Sequence, residues 1–402
     1  MHKTYKALII GGGAAGLLCA AELLTGENAL SGQDVLIIER GERLARKLLA
    51  TGNGQCNLCN RHIAPENYYG DKNFIVSFIK SLEEISLERY FLRLGIPFYT
   101  DEEGRQYPLS RQAGAVSDGL RSYIAYKNCC IVTGQKVMSL SESGGIFAAR
   151  TDKGEYFAQN AVIAVGGAAA KQFGTDGSSY NLAESFGHRV TPLKPSLVQL
   201  KTELAPIRGL KGTKERAEVT VYDGNKPLRR AAGDVLFTEY GVSGSAIFAV
   251  SPLVVGAREP CISVGFLPGK SVPEVRRLIE LRAAAPHVDK SELLSALVNK
   301  RLGQAILKRA AGKDPAAELK DFRLKVTGTL GFDSAQVTRG GIETNGVDPV
   351  TMESRIKGGL FIAGEALDID GDCGGYNLAF AFGGGIAAAR AIKQKYDNKE
   401  KE

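Results

Sequence analysis

The most constraining stretch of this chain is its beginning. The apolar run Tyr5-Lys-Ala-Leu-Ile-Ile10 is followed by Gly11-Gly12-Gly13-Ala14-Ala15-Gly16 and then by the helical pattern Leu17 to Leu24. Strand, glycine turn and helix stand in the order that a dinucleotide-binding fold requires. In such a unit Gly11 makes the tight turn, Gly13 lets backbone approach a pyrophosphate, and Gly16 lets the helix pack on the strand. The helix N-terminus then offers unpaired N–H donors to the anion. A second apolar strand, Val35-Leu-Ile-Ile-Glu39, ends in a carboxylate placed to accept hydrogen bonds from ribose hydroxyls. A glycine turn that merely joins strand to helix would not call for that second strand and its acid. The pattern predicts an α/β chain with Gly11, Gly13, Ala14, Ala15, Gly16, Glu39 and the adjoining Arg40 as cofactor-binding residues.

Three further segments carry chemistry. Arg46-Lys47-Leu-Leu-Ala-Thr51-Gly52-Asn53-Gly54-Gln-Cys56-Asn57-Leu-Cys59-Asn60 is a loop rich in backbone and side-chain donors, suited to a polar heterocycle. Its Cys56 and Cys59 have the spacing of a redox dithiol or of half a zinc site. No second CxxC occurs and the four histidines (2, 62, 188, 287) are scattered, which argues against a metal. Two unrelated loop cysteines are the simplest reading. Next, Ala161-Val-Ile-Ala-Val165-Gly166-Gly167 is an apolar strand ending in two glycines, the form expected where backbone passes close to a ligand. A loop from Gly174 then enters a helix that ends near Gly187 and His188, the histidine reading as a capping or packing residue. Finally, Gly359-Leu-Phe-Ile-Ala-Gly364-Glu365 is another such strand. It leads through Asp368-Ile-Asp370-Gly-Asp-Cys-Gly374-Gly375-Tyr376-Asn377 into an apolar helix from Leu378. A glycine pair opening a helix aims N–H groups and the positive dipole end forward, where a flavin enzyme would place its negatively charged pyrimidine ring.

The length, 402 residues, suggests two or three domains. With 44% hydrophobic and 24% charged residues the chain is neither disordered nor fibrous. Seven cysteines, odd in number and unevenly spaced, do not form a disulfide framework, and a reducing cytoplasm is expected. The uncharged run Ala7 to Ala21 is glycine-interrupted and so is not read as a leader. Tyr240 to Ala257, containing Pro252, reads as a buried strand and helix and not as a membrane span. From Cys130 to Val165, short β-type segments alternating with turns at Gly144-Gly145 and Lys153-Gly154 predict a small antiparallel meander that includes Val137. Residues 196–327 change texture, with strand-like pieces followed by helical patterns from Pro273 to about Phe322. They read as an insertion, dividing the chain into 1–195 with 328–402 and the inserted 196–327.

The segments 46–60, Phe237-Thr-Glu-Tyr-Gly-Val-Ser-Gly-Ser-Ala-Ile247, Val337-Thr-Arg-Gly-Gly341, Thr351-Met-Glu-Ser354 and 364–377 resemble the bacterial BaiN/RdsA flavoproteins, also known as the aminoacetone oxidase family. The resemblance covers essentially the whole chain. It implies a glutathione-reductase-like FAD-binding Rossmann domain with an inserted β-domain plus helices. It further implies that Gly11, Gly13 and Gly16 lie on the pyrophosphate, Glu39 on the adenosine ribose, and Gly166 and Gly167 along the adenosine side. Lys47, Thr51, Asn53 and Gly54 would lie near the flavin, with Gly364, Glu365, Asn377 and Leu378 around ribityl chain and isoalloxazine. Val137 completes the expected cofactor-binding set. The chain departs from its relatives at Glu239 and Ser245, where a histidine and a proline are usual, and at Cys59, usually threonine.

The expected cofactor is therefore FAD, with Lys47, Arg339 and Tyr376 as candidate catalytic groups. No second strand–glycine–helix unit marks an NAD(P) domain, so an NAD(P)H donor would dock transiently. The leading expectation is hydride transfer to an unsaturated or carbonyl small molecule. Alternatives are an RNA-modifying enzyme that reduces uridine to dihydrouridine in ribosomal RNA, and a non-catalytic flavin-stabilised binding protein. Charge bears on the second: of the net +7, residues 201–325 hold +8 (22 Lys+Arg, 14 Asp+Glu), leaving −1 elsewhere. Arg276, Arg277, Arg282, Lys300, Arg301, Lys308 and Arg309 lie on helical segments there, as an RNA-phosphate surface or as an ordinary solvated face.

Overall fold

The computed structural model describes residues 3–401, with side chains up to residue 397. The chain divides into two compact units, Met1–Lys194 with Val337–Glu402, and Pro195–Gln336. The return crossing falls later than the expected 327/328. The reason is that Phe322–Thr329 is a strand bonded on both edges within the second unit, so the chain cannot leave before completing it.

In the first unit a sheet runs in the order Cys130–Val132, Val35–Ile38, Thr4–Ile10, Glu155–Ile163, Ile146–Thr151, Val137–Ser143, with Leu360–Ile362 also paired to Glu155–Ile163. The pairings among Cys130–Val132, Val35–Ile38, Thr4–Ile10, Glu155–Ile163 and Leu360–Ile362 are parallel. Residues 7–10, 35–38, 161–163 and 360–362 of these strands are wholly apolar because such a layer is covered on both faces. The expected meander therefore begins at Val137: Cys130–Val132 pairs with Leu36, Ile37 and Ile38 as the edge of the parallel layer. Glu155–Ile163 serves both layers, with Glu155 to Ala158 antiparallel to Phe147 to Arg150 and Ala161 to Ile163 parallel to Leu360 to Ile362. The helix Ala14–Leu23 packs beside the C-terminal helix Tyr376–Lys401 closely enough that a Cβ on Gly385 would stand 2.1 Å from the Ala15 carbonyl oxygen.

The second unit is a closed six-stranded barrel in the order Leu200–Thr202, Gly241–Ser243, Lys226–Phe237, Lys214–Asp223, Pro260–Phe266, Phe322–Thr329. Its interior holds the fully buried Phe237, Phe266 and Phe322, with ring centroids 6.0 to 6.4 Å apart. Tyr240 to Ala257 forms a short strand and the helix Ser245–Val254, as its composition implied. Helices Val272–Ala283, Lys300–Arg309 and Pro315–Lys320 precede the last strand, the first capped by Ser271 and Glu274. Among the described residues no helix is long and apolar enough to cross a membrane.

Candidate cofactor site

The glycine turn is specified by what a side chain would strike. Gly11 has φ +108°, and a Cβ there would lie 2.3 Å from the Ala164 carbonyl oxygen; on Gly16 it would lie 1.9 Å from the carbonyl oxygen of Gly11. Gly13 differs, since a Cβ on it meets no protein atom within 4 Å. Two of the three glycines are thus required by the fold, while the third faces open space at the helix N-terminus. Glu39 closes the turn: its carboxylate accepts from Gly12 N–H at 2.8 Å and Gly41 N–H at 2.7 Å. Next to it, Arg40 makes a two-point pair with Asp176 at 2.8 and 3.2 Å, and this guanidinium holds the Asp176 carboxyl well below the usual carboxylate range.

A second cluster joins residues distant in sequence. Lys47 Nζ contacts Glu365 Oε2 at 2.6 Å, while Glu365 Oε1 accepts from Thr338 N–H at 2.9 Å. The Thr338 hydroxyl oxygen in turn accepts from Ala168 and Ala169 N–H at 2.7 and 2.9 Å. A Cβ on Gly167 would stand 2.4 Å from that oxygen and 2.6 Å from Glu365 Oε1, so this position has no room for a side chain. Gly364 has φ +75° and packs against Ala15, bringing this cluster to the glycine-turn helix. Thr338 was not among the expected site residues, and nothing in its local sequence marks a threonine whose hydroxyl orders a turn so far away in the chain.

The donor-rich loop meets the start of the C-terminal helix. Thr51 donates to the Leu48 carbonyl at 2.7 Å, and Gly52 and Asn53 follow in left-handed backbone (φ +56° and +54°), leaving Gly52 to Gly54 exposed. Asn60 Nδ2 donates to Gly374 O at 3.0 Å, and a Cβ on Gly375 would stand 2.4 Å from Cys59 O. Asn377 folds the turn before its own helix, with Oδ1 accepting from Gly371 N–H at 2.7 Å and Nδ2 donating to Gly371 O at 2.8 Å. Tyr376 stands edge-on to Tyr68 at 6.0 Å, and the Tyr68 hydroxyl donates to Tyr376 O at 3.0 Å. Arg339 makes a two-point pair with the buried Asp370 at 3.0 and 3.2 Å and lies 4.1 Å from the Tyr69 ring centroid. Val137 is buried in the apolar core, and Leu378 packs against that core half-buried.

Cys56 and Cys59 are unbonded and buried, and burial pushes both thiols up to about 12. A working redox pair needs a thiolate near neutral pH, so these thiols act as small apolar side chains. His188 is buried against the Ser354 hydroxyl at 2.8 Å, a packing residue whose proton affinity burial lowers.

The chemistry of these residues fits FAD. Gly13 presents backbone and open space before a helix N-terminus, as a pyrophosphate needs. The cleft lined by Arg40, Val165, Gly166, Gly167, Asp176 and Tyr180 brings three expected cofactor residues together. The Tyr180 hydroxyl, sealed from solvent, has no protein hydrogen-bond partner.

Comparison with known proteins agrees with this geometry. The HI0933-like protein Rossmann domain family matches residues 5–391. The 3-dehydro-bile acid delta(4,6)-reductase of Clostridium scindens is 34% identical, over 96% of this chain and 98% of that protein. The ribosomal RNA dihydrouridine synthases of Haemophilus influenzae and Escherichia coli are 26% and 28% identical, over 98% and 97% of this chain and 100% and 98% of theirs. Among solved structures, the 3-ketosteroid-delta4-(5alpha)-dehydrogenase of Rhodococcus jostii RHA1 superposes with a TM-score of 0.53 at 15% identity, covering 98% of both chains. A flavocytochrome c3 fumarate reductase gives 0.51 at 13% identity, over 98% of this chain and 78% of that one. At such identities these two likenesses speak to the fold.

Proposed function

Because this chain belongs to the HI0933-like Rossmann-domain family, and so to the BaiN/RdsA-type flavoproteins, we propose that it reduces an unsaturated or carbonyl small molecule. It is an FAD-dependent oxidoreductase. The observation that carries the substrate class is the 34% identity to a bile acid reductase, running through nearly the full length of both chains. FAD supplies the two-electron chemistry when bound, and the chain supplies binding and orientation. The glycine turn and Glu39 hold the adenosine and pyrophosphate end. Lys47, tied by Glu365, is the cation beside the flavin. Arg339 and Tyr376 act as positioning residues, one anchored on buried Asp370 and the other packed against Tyr68. An NAD(P)H donor docks transiently.

The second reading, reduction of uridine in ribosomal RNA, draws on the names of two more distant relatives and on the +8 of residues 201–325. The basic helices weaken it. Arg276 pairs with Asp314, Lys300 with Glu292 and Arg309 with Glu318, while Arg282 caps the carbonyls of Glu292 and Leu293. Four of the seven expected phosphate contacts are thereby engaged within the unit, leaving Arg277, Arg301 and Lys308 on exposed positions. Anaerobic reoxidation of the reduced enzyme separates the readings. An enone steroid should reoxidise the flavin and uridine-containing ribosomal RNA should not; the reverse outcome overturns the proposal.

A further inference from the structure

Strands Phe98–Thr100 and Arg105–Pro108 pair antiparallel, with Cys59–Asn60 on the other edge of Arg105–Pro108. Tyr99 stands directly opposite Tyr107, so the two side chains share one face of this small sheet. Their rings are stacked, with centroids 5.9 Å apart and planes 25° from parallel, and both residues are half-buried. Just beyond the strand, Arg111 N–H donates to Pro108 O at 2.8 Å. The turn this closes returns the Arg111 guanidinium to 5.0 Å from the Tyr99 ring centroid.

The two arginines flanking the tyrosines differ in what they have for company. Arg105 is neutralised, its Nε 2.8 Å from Asp101 Oδ2 and its Nη1 3.1 Å from Glu103 Oε2. Arg111 is exposed, and among the described residues no carboxylate pairs with it. The row of rings also lies beside the loop expected at the flavin. Tyr107 Cε1 would stand 3.6 Å from a Cβ on Gly52, and Asn60 of the same sheet holds Gly374 O. Gly52 to Gly54 are exposed, and a Cβ on Gly54 would meet no protein atom within 4 Å, so this side of the loop is open.

Parallel tyrosines offer a surface on which a flat heterocycle gains about 1–3 kcal/mol by stacking. An unpaired guanidinium is the group best shaped to take a phosphate. A nucleotide uses both. The chain has no second glycine-turn unit to hold a dinucleotide, so a hydride donor must find its contacts on a surface of this kind. We propose that Tyr99, Tyr107 and Arg111 form the docking site of the nicotinamide dinucleotide donor, one of its flat rings stacking on the tyrosines and a phosphate bonding to Arg111. The proposal rests on the reading of the chain as an NAD(P)H-dependent flavoenzyme and gives that donor a place.

The test is donor binding, read by calorimetry as the non-reactive tetrahydro analogues of NADH and NADPH are titrated into FAD-loaded wild type, Arg111→Met and Tyr107→Leu. Because Arg111 is exposed, Arg111→Met should keep the wild-type melting temperature and FAD content. Both variants should bind the preferred analogue about tenfold more weakly. Added salt should weaken binding to wild type more than to Arg111→Met. Wild-type affinity in both variants would overturn the proposal. So would variants that lose affinity for uridine-containing RNA while keeping it for the analogue, since the rings would then serve a nucleobase of RNA. A wild type that holds FAD but binds neither analogue would overturn the donor reading and the proposal with it. One that holds no FAD would instead overturn the cofactor reading beneath both.

Discussion

The two units are specified in different ways. In the first, decisive positions are those where a side chain cannot stand: Gly11, Gly16, Gly167, Gly375 and Gly385 each leave a hypothetical Cβ within 2.6 Å of another atom. Their identity is fixed by backbone approaching backbone or a fixed polar oxygen. In the barrel, the alternating burial of Phe322–Thr329 and the cluster of Phe237, Phe266 and Phe322 place the information in side-chain volume. Charge also divides, the first unit being near neutral and the barrel unit basic. A cofactor is common to many flavoproteins and demands a fixed backbone.

If that contrast holds, the largest single effect should come from truncating a barrel phenylalanine. Phe237→Ala should lose about 3–5 kcal/mol in denaturant unfolding, because Phe266 and Phe322 cannot close over the cavity. A loss below about 1 kcal/mol would show that side-chain packing does not specify the barrel. Somewhat smaller, Arg339→Met leaves the carboxylate of Asp370, itself 2% exposed, without its guanidinium. Removing one member of a buried pair costs about 3 kcal/mol, with some relief because Arg339 is itself partly exposed. Reduced activity with unchanged stability would instead make Arg339 a group that touches substrate.

The smallest effect concerns His188. Burial lowers its folded pKa below the ordinary value of about 6.5, so protonation favours the unfolded chain. Its contribution is fully present above about pH 6.5 and is lost as pH falls toward the depressed folded value. His188→Gln should therefore flatten the pH dependence of melting below pH 6.5 and leave it unchanged above. An identical slope in wild type and variant would remove the histidine from that account.

Much of the first unit was legible because its strands are continuous apolar runs and its glycines stand at their ends. The α/β class, the insertion and the meeting of the 46–60 and 364–377 segments with the glycine-turn unit followed from those runs or from the resemblance they support. The barrel was less legible. Lys226–Phe237 carries Lys226, Arg229, Arg230 and Asp234 among its apolar residues and was not read as a strand, although it is the longest of the barrel. Phe322–Thr329 was hidden behind the helical run preceding it. Within the site, Thr338 and Asp176 are not legible in the sequence because each acts on a partner far away in the chain. In sequence the loop holding Asp176 reads only as the entry to a helix.

The central claim, that the glycine turn is shaped by a cofactor and not only by the fold, is tested most directly at Gly13. Its φ of −84° suits any residue, and a side chain there would meet open space. Gly13→Leu should fold with a loss of no more than about 1 kcal/mol from the weaker helix cap, as measured by melting of the flavin-free proteins. Purified natively, wild type should carry bound FAD and Gly13→Leu should carry almost none. A Gly13→Leu protein that retains FAD at the wild-type ratio would contradict the claim.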